Sequence, residues 1–198
     1  MKKRVGIFGG TFNPPHIGHV EAAKAFVKCM NLDELIIMPA FIPPHKGYNS
    51  TVTCEERLDM CRIAFRDVDR ATVSDHEIVR GGTSYTYITL TELTADDTDL
   101  YFLCGTDMIL TMDRWKNPDV IFSLANICYI RRESHEGNTA LIEEKCREYE
   151  RNFRARIFAI EADVIEISSS DIRSGESISE KFLVSGVAEY IRAKRLYQ

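Results

Sequence analysis

Short unbroken apolar runs alternate with stretches of three-and-four spacing along most of the chain. Val5 to Phe8, Leu35-Ile36-Ile37-Met38, Leu100 to Cys104 and Ala125 to Ile130 are continuous enough to be strands buried on both faces, the pattern of a parallel sheet. Between the first two, Ile17, Val20, Ala23, Val27 and Met30 recur at helical intervals, so the opening of the chain predicts a βαβ unit. Thr53 and Glu56 have the spacing of a capping box, and Leu58, Cys61, Phe65 and Val68 form the apolar stripe of the helix they open. Ala71-Thr72-Val73 predicts another short strand. Asn138 to Asn152 is charged and predicts a surface helix, Val164 to Ile167 a strand, and Ser185 the cap of a closing helix through Val187 and Ile191. The expected fold is α/β: a Rossmann-like open parallel sheet with helices on both faces. Ser84-Tyr85-Thr86-Tyr87-Ile88-Thr89-Leu90 is ambiguous, because its β-branched and aromatic residues favour a strand while Ser84 suits a helix N-cap.

Chemistry concentrates in the turn after the first strand, Gly9-Gly10-Thr11-Phe12-Asn13-Pro14-Pro15-His16-Ile17-Gly18-His19. Two glycines let the backbone turn sharply and approach a ligand, Thr11 offers a hydroxyl, and the free amides of the following helix favour an anion. His16 and His19 are three apart and can both donate to phosphoryl oxygens. The stretch has neither the GxGxxG of dinucleotide folds nor the GKS or GKT of a P-loop. A histidine pair at this spacing also suits zinc, but no cysteine or carboxylate cluster lies nearby to supply a third ligand.

Other strand ends carry chemistry of the same kind. Pro43-Pro44-His45-Lys46-Gly47 must be a loop, and the second strand would deliver it beside the first turn; by itself it reads equally as a solvated basic loop. Gly105-Thr106-Asp107 follows the third strong strand, where open α/β sheets bind nucleotides, and Asp107 would either accept from a ribose hydroxyl or cap a helix. Trp115 lies among polar neighbours, as a half-exposed stacking ring would, although a lone tryptophan is also a common core residue. Arg131-Arg132 ends the fourth run, with planes able to stack on a base or fork onto phosphate. Ser168-Ser169-Ser170-Asp171-Ile172-Arg173 reads as a serine-rich cap, or as a second phosphate-binding helix start with Arg173 as its fixed charge.

The 198 residues suffice for one α/β domain and are too few for two ordinary ones. A hydrophobic share of 44% beside 28% charged residues belongs to a globular chain, and no apolar run approaches the roughly 20 residues of a membrane span. The apolar stretch after Met1-Lys2-Lys3-Arg4 is too short for a signal peptide, so a cytoplasmic protein is expected. A net charge of −5 argues against a general nucleic-acid surface. The six cysteines form no CxxC and are expected to be reduced core residues.

GGTFNPPHIGH resembles the HxGH signature of the nucleotidyltransferase superfamily, and specifically that of its bacterial nicotinate-nucleotide adenylyltransferases. Ser-Ser-Ser-Asp-Ile-Arg resembles their second signature, and the PPHK loop, the SYT segment, the Gly-x-Asp and the tryptophan fall between the two in matching order. The resemblance spans nearly the whole chain and implies one nucleotidyltransferase domain over residues 1–198 that joins ATP to nicotinate mononucleotide. It implies His16 and His19 as catalytic residues. It places Gly9, Gly10, Thr11, Phe12, Lys46, Gly105, Asp107, Arg132, Ser169, Ser170 and Arg173 at the ATP phosphates and nucleoside. It assigns His45, Ser84, Tyr85, Thr86 and Trp115 to nicotinate mononucleotide, with the SYT segment starting a helix. Mg²⁺ is expected to arrive with ATP and to need no protein metal site. Neither nucleic acid nor membrane is an expected partner, and a homo-oligomer is compatible with the sequence. The alternatives are another acceptor on the same fold, such as nicotinamide mononucleotide, or a nucleotide-binding protein without catalysis.

Overall fold

A computed structural model describes residues 2–44, 51–131, 136–162, 165, 167–174 and 179–197, with only the backbone described at 136–138. Its strands are β1 (Lys3–Gly10), β2 (Glu34–Pro39), β3 (Ala71–Val73), β4 (Thr98–Cys104), β5 (Ala125–Arg131) and β6 (Ile157–Glu161). They form one sheet in the order β3-β2-β1-β4-β5-β6, and every pairing is parallel. The chain therefore winds outward from β1 to one edge, returns, and winds outward from β4 to the other. Period-two alternation divides the side chains between two cores. Phe8, Tyr101 and Leu103 face one, while Val5, Ile7, Leu100 and Phe102 face the other.

Helices α1 (Ile17–Met30), α2 (Cys54–Phe65), α8 (Ser169–Arg173) and α9 (Ser185–Lys194) contribute to the first core. The second is covered by α4 (Thr86–Leu93), α5 (Thr106–Ile109), α6 (Pro118–Leu124) and α7 (Glu136–Phe153), and the short α3 (His76–Arg80) leads into α4. The stripe expected on α1 buries Val20, Ala23 and Val27, with Phe26 added at no exposure. The capping box that opens α2 is formed: Thr53 Oγ1 accepts from the Glu56 amide, and Glu56 Oε2 accepts from the Thr53 amide at 2.9 Å.

Several expectations need correction. The segment from Ser84 to Leu90 runs into a helix, as the resemblance implies and against its strand propensity, with Leu90 buried on the second core. Its N-cap is Tyr85 rather than Ser84, whose hydroxyl is bonded elsewhere. The last strand is Ile157–Glu161; Ile165 and Ile167 lie in no strand, and Val164 and Glu166 lie outside the described residues. α7 is only partly a surface helix. Its Tyr149 is fully buried, stacked against Phe122 with ring centroids 4.9 Å apart. The cap of α9 is Val184, with Ser185 the first helical residue. Cys61, Cys104 and Cys128 are core residues, whereas Cys29 is exposed; all six cysteines are free.

Candidate active site

Strand order reverses between β1 and β4, and a cleft of about 420 Å³ opens at the carboxyl ends of these two strands, the position where open α/β sheets take ligands. One wall is the first turn. Phe12 there has φ of +47°, a left-handed conformation that L-residues seldom adopt, and it is held by its ring. That ring is 2% exposed and packs edge-on to Phe8, Phe65 and His19 at centroid distances of 5.4, 5.6 and 5.0 Å. A Cβ at position 10 would lie 2.9 to 3.1 Å from the same ring, which accounts for a glycine there. Thus Gly9, Gly10 and Thr11 line the cleft, and Phe12 acts chiefly as the wedge that shapes it.

His16 is the N-cap residue of α1, 4% exposed, and His19 is the third residue of the helix. Their rings stack with centroids 3.6 Å apart, and both line the cleft. The His16 amide donates to His19 Nδ1 at 3.2 Å. Because Nδ1 accepts, the proton of a neutral His19 belongs on Nε2, which makes Nε2–H the donor for a ligand. Gly18 between them is equally constrained: a Cβ would meet the Ile165 carbonyl oxygen at 2.8 Å and His16 Nδ1 at 3.1 Å.

Opposite the turn stands α8, whose Ser169, Ser170 and Arg173 reach the cleft from 155 residues or more further along the chain. Ser169 Oγ donates to the Pro14 carbonyl at 2.9 Å, and Arg173 donates to the Asn13 carbonyl and, at 3.4 Å, to Ser170 Oγ. The helix start is fixed by a second capping box between Ser168 and Asp171. Hydrogen bonds from the Ser168 hydroxyl and amide hold the Asp171 carboxyl below the ordinary aspartate range. Arg173 is exposed, so its charge sits at the mouth rather than on the floor.

At the end of β4, Gly105 is the N-cap of α5, and Asp107 lies in its first turn with an exposed carboxylate on the cleft. Cys104 is buried beside them, and burial raises its thiol well above the usual range, which leaves it an inert apolar wall. Beyond β4 the lining becomes mixed apolar and hydroxylic: Ser84, Thr86 and Trp115. The Trp115 ring is half-buried and meets Phe102 edge-on at 6.3 Å. Tyr85 does not line the cleft; its ring carries the Lys116 ammonium 4.8 Å from the centroid. His45, Lys46 and Arg132 lie outside the described residues.

Two features of this half were missed in the sequence. Glu77, 6% exposed, lines the cleft and accepts from the Thr89 hydroxyl, which in turn accepts from Arg80 Nη1 at 3.2 Å. The three-residue spacing of Glu77 and Arg80 was the available signal. Arg57, fully buried, donates to the carbonyl of Thr11; it heads the face Arg57-Cys61-Ala64-Val68, where an arginine among apolar positions marks an internal tether. Among the described residues no three histidine, cysteine, aspartate or glutamate side chains come together as a metal site.

A parallel sheet with its ligand cleft at the reversal, a histidine pair at the first helix start and an arginine on the opposite wall are the parts of a nucleotide-handling enzyme. Residues 7–175 match the cytidylyltransferase-like family, and the chain belongs to it. It is 36% identical over 200 residues to a protein of Clostridium botulinum (strain Eklund 17B / Type B) named probable nicotinate-nucleotide adenylyltransferase, covering 99% of this chain and 98% of that one. A protein of the same name from Listeria monocytogenes (serotype 4a, strain HCC23) is 31% identical over 199 residues, with coverage of 100% and 98%. Among solved structures, nicotinic acid mononucleotide adenylyltransferase of Plasmodium falciparum complexed with NaAD is similar with a TM-score of 0.78. Coverage is 98% of this chain and 97% of that one, and at 20% identity the likeness bears on the fold.

Proposed function

We propose that the chain works as a single nucleotidyltransferase domain that transfers the adenylyl group of ATP to nicotinate mononucleotide, giving nicotinic acid adenine dinucleotide and pyrophosphate, a step of NAD biosynthesis. The observation that carries the reading is full-length similarity to nicotinate-nucleotide adenylyltransferases together with a cleft divided into a half lined by His16, His19, Ser169 and Arg173 and a hydroxylic, aromatic half. The acceptor phosphate oxygen attacks the α-phosphorus of ATP, a new phosphorus–oxygen bond forms, and the bond to the bridging oxygen of the β-phosphate breaks to release pyrophosphate. Since the nucleophile is already an anion, the protein's task is alignment and charge stabilisation.

In this reading His16 and His19 donate to phosphate oxygens as charge grows on them. Gly9, Gly10 and Thr11 admit the triphosphate close to the backbone, and Ser169, Ser170 and Arg173 hold it from α8. Asp107 accepts from the ribose of ATP. Thr86 and Trp115 receive the pyridine ring, joined by His45, and Lys46 and Arg132 add charge at the phosphates and the adenine. A divalent cation, Mg²⁺ in this reading, is carried by the triphosphate and neutralises its charge; among the described residues the cleft carboxylates Glu77 and Asp107 do not make a cage for it. No helix among the described residues is long and apolar enough to cross a membrane, and the six free cysteines support a reducing, cytoplasmic setting.

The test is pyrophosphate release from ATP and Mg²⁺ with nicotinate mononucleotide and nicotinamide mononucleotide side by side. Fast release with the acid and little with the amide is expected. Preference for the amide would move the chain to a different acceptor, and ATP binding without release would make it a nucleotide-binding protein.

A further inference from the structure

The two halves of the cleft are joined at the backbone of Phe41. Its N–H donates to Ser84 Oγ at 2.9 Å, and its carbonyl accepts from Arg57 Nη2 at 3.2 Å. The same guanidinium donates from Nη2 to the Ala40 carbonyl at 2.6 Å and from Nη1 to the Thr11 carbonyl at 2.8 Å. On the other side the Ser84 amide donates to the Ile42 carbonyl at 2.9 Å, and Ile42 forms an isolated parallel bridge with Thr83. A continuous line of hydrogen bonds therefore runs from Thr11, in the phosphate turn, through Arg57 and Phe41 to Ser84, one residue before the N-cap of α4. Arg57 has no exposed surface and Ser84 only 7%.

Burying a guanidinium is costly, so its return must be something a smaller group cannot supply. Here it is geometry. Arginine's planar fork presents several donors at fixed angles and can serve carbonyls from two separate loops at once, which a lysine ammonium on a flexible stem cannot reproduce. We propose that Arg57 and Ser84 are positioning residues which, through the Phe41 backbone, form a strap that registers the nucleotide half of the cleft against the acceptor half. Ser84 then acts through Phe41. The inference rests on the reading above, in which the α4 side receives the acceptor. In-line transfer needs both substrates aligned within a fraction of an ångström, and a misplacement of about 1 Å can cost roughly 100-fold in rate.

The test uses the full chain and three variants, Arg57→Lys, Ser84→Ala and the double variant. Calorimetry with a non-hydrolysable ATP analogue gives affinity and, through its stoichiometry, the folded fraction; steady-state kinetics give KM for each substrate. The strap predicts that Ser84→Ala, on the acceptor side, weakens the ATP analogue by about threefold or more, as residues in one network do. Arg57→Lys should likewise raise KM for nicotinate mononucleotide, and the double variant should be little worse than the poorer single one. The proposal is overturned if Ser84→Ala changes only the acceptor's KM, or if the two substitutions multiply. Should Arg57→Lys fail to fold, the analogue affinity of Ser84→Ala decides alone. If the wild-type chain releases no pyrophosphate with nicotinate mononucleotide, the functional reading falls, while the analogue arm still judges the strap.

Discussion

His19 carries two duties that substitution can separate. Its Nδ1 accepts from the His16 amide and so completes the start of α1, while Nε2–H is the donor assigned to phosphate. Glutamine at the third helical position can reach back to the N-cap amide as histidine does here. His19→Gln should therefore keep the unfolding free energy, whereas His19→Ala should lose about 0.5–1.5 kcal/mol, the net worth of one hydrogen bond. Both should lower kcat by about 10²–10³, the usual cost of one donor to a developing oxyanion. Denaturant melts beside pyrophosphate assays check this, and near-wild-type turnover in either variant would remove His19 from the chemistry. The placing of the histidine pair together at the cleft was legible because it depends on local spacing. Arg57 was not, because the carbonyls it serves, of Thr11, Ala40 and Phe41, come together only in three dimensions.

Helix α8 is five residues long and is held in place by its cap and by the turn it touches. Asp171 completes that cap, and its carboxyl lies below the ordinary aspartate value of 3.8 because the Ser168 hydroxyl and amide bond the charged form. A depressed folded pKa means that this stabilisation is present above the unfolded value and is lost as pH falls through the folded one. Stability should thus decline below about pH 3.8, and Asp171→Asn should flatten that part of the acid profile in circular dichroism. An unchanged slope would show the box to be energetically idle. The box itself is readable from Ser168 and Asp171, but the strand before it was misplaced. Ile157-Phe158-Ala159-Ile160 is itself an unbroken apolar run, although β6 buries only Ile160 fully, whereas Ile165 and Ile167, apolar as well, line the cleft outside any strand. In α7 the charged face hides Tyr149. Its hydroxyl, pushed up to about 12 chiefly by burial, accepts from the Asp113 amide at 3.4 Å and lies 2.9 Å from the Ile109 carbonyl and 3.0 Å from Asp113 Oδ1. It thereby braces the segment that ends in Trp115.

Across the whole molecule, the cleft is bounded by residues from both halves of the sheet and by α8, so a ligand that fills it touches all three. A ligand held at about 100 times its Kd should add about 2.7 kcal/mol to stability. In hydrogen exchange with the ATP analogue, slowing should appear together at residues 9–19 and 169–173. Slowing confined to residues 105–107 would show that the phosphates do not reach α8. The reversal point itself was visible in the sequence, since glycines follow two of the strongest apolar runs, but which strands flank it depends on pairing order, a non-local property. The contact between Ser169 and Pro14 spans 155 residues. At 5–20 residues per second, a ribosome takes roughly 8–30 s to make that stretch. The first turn therefore emerges long before its partner and must wait, with Phe65 and Arg57 already made to hold it, until translation delivers α8.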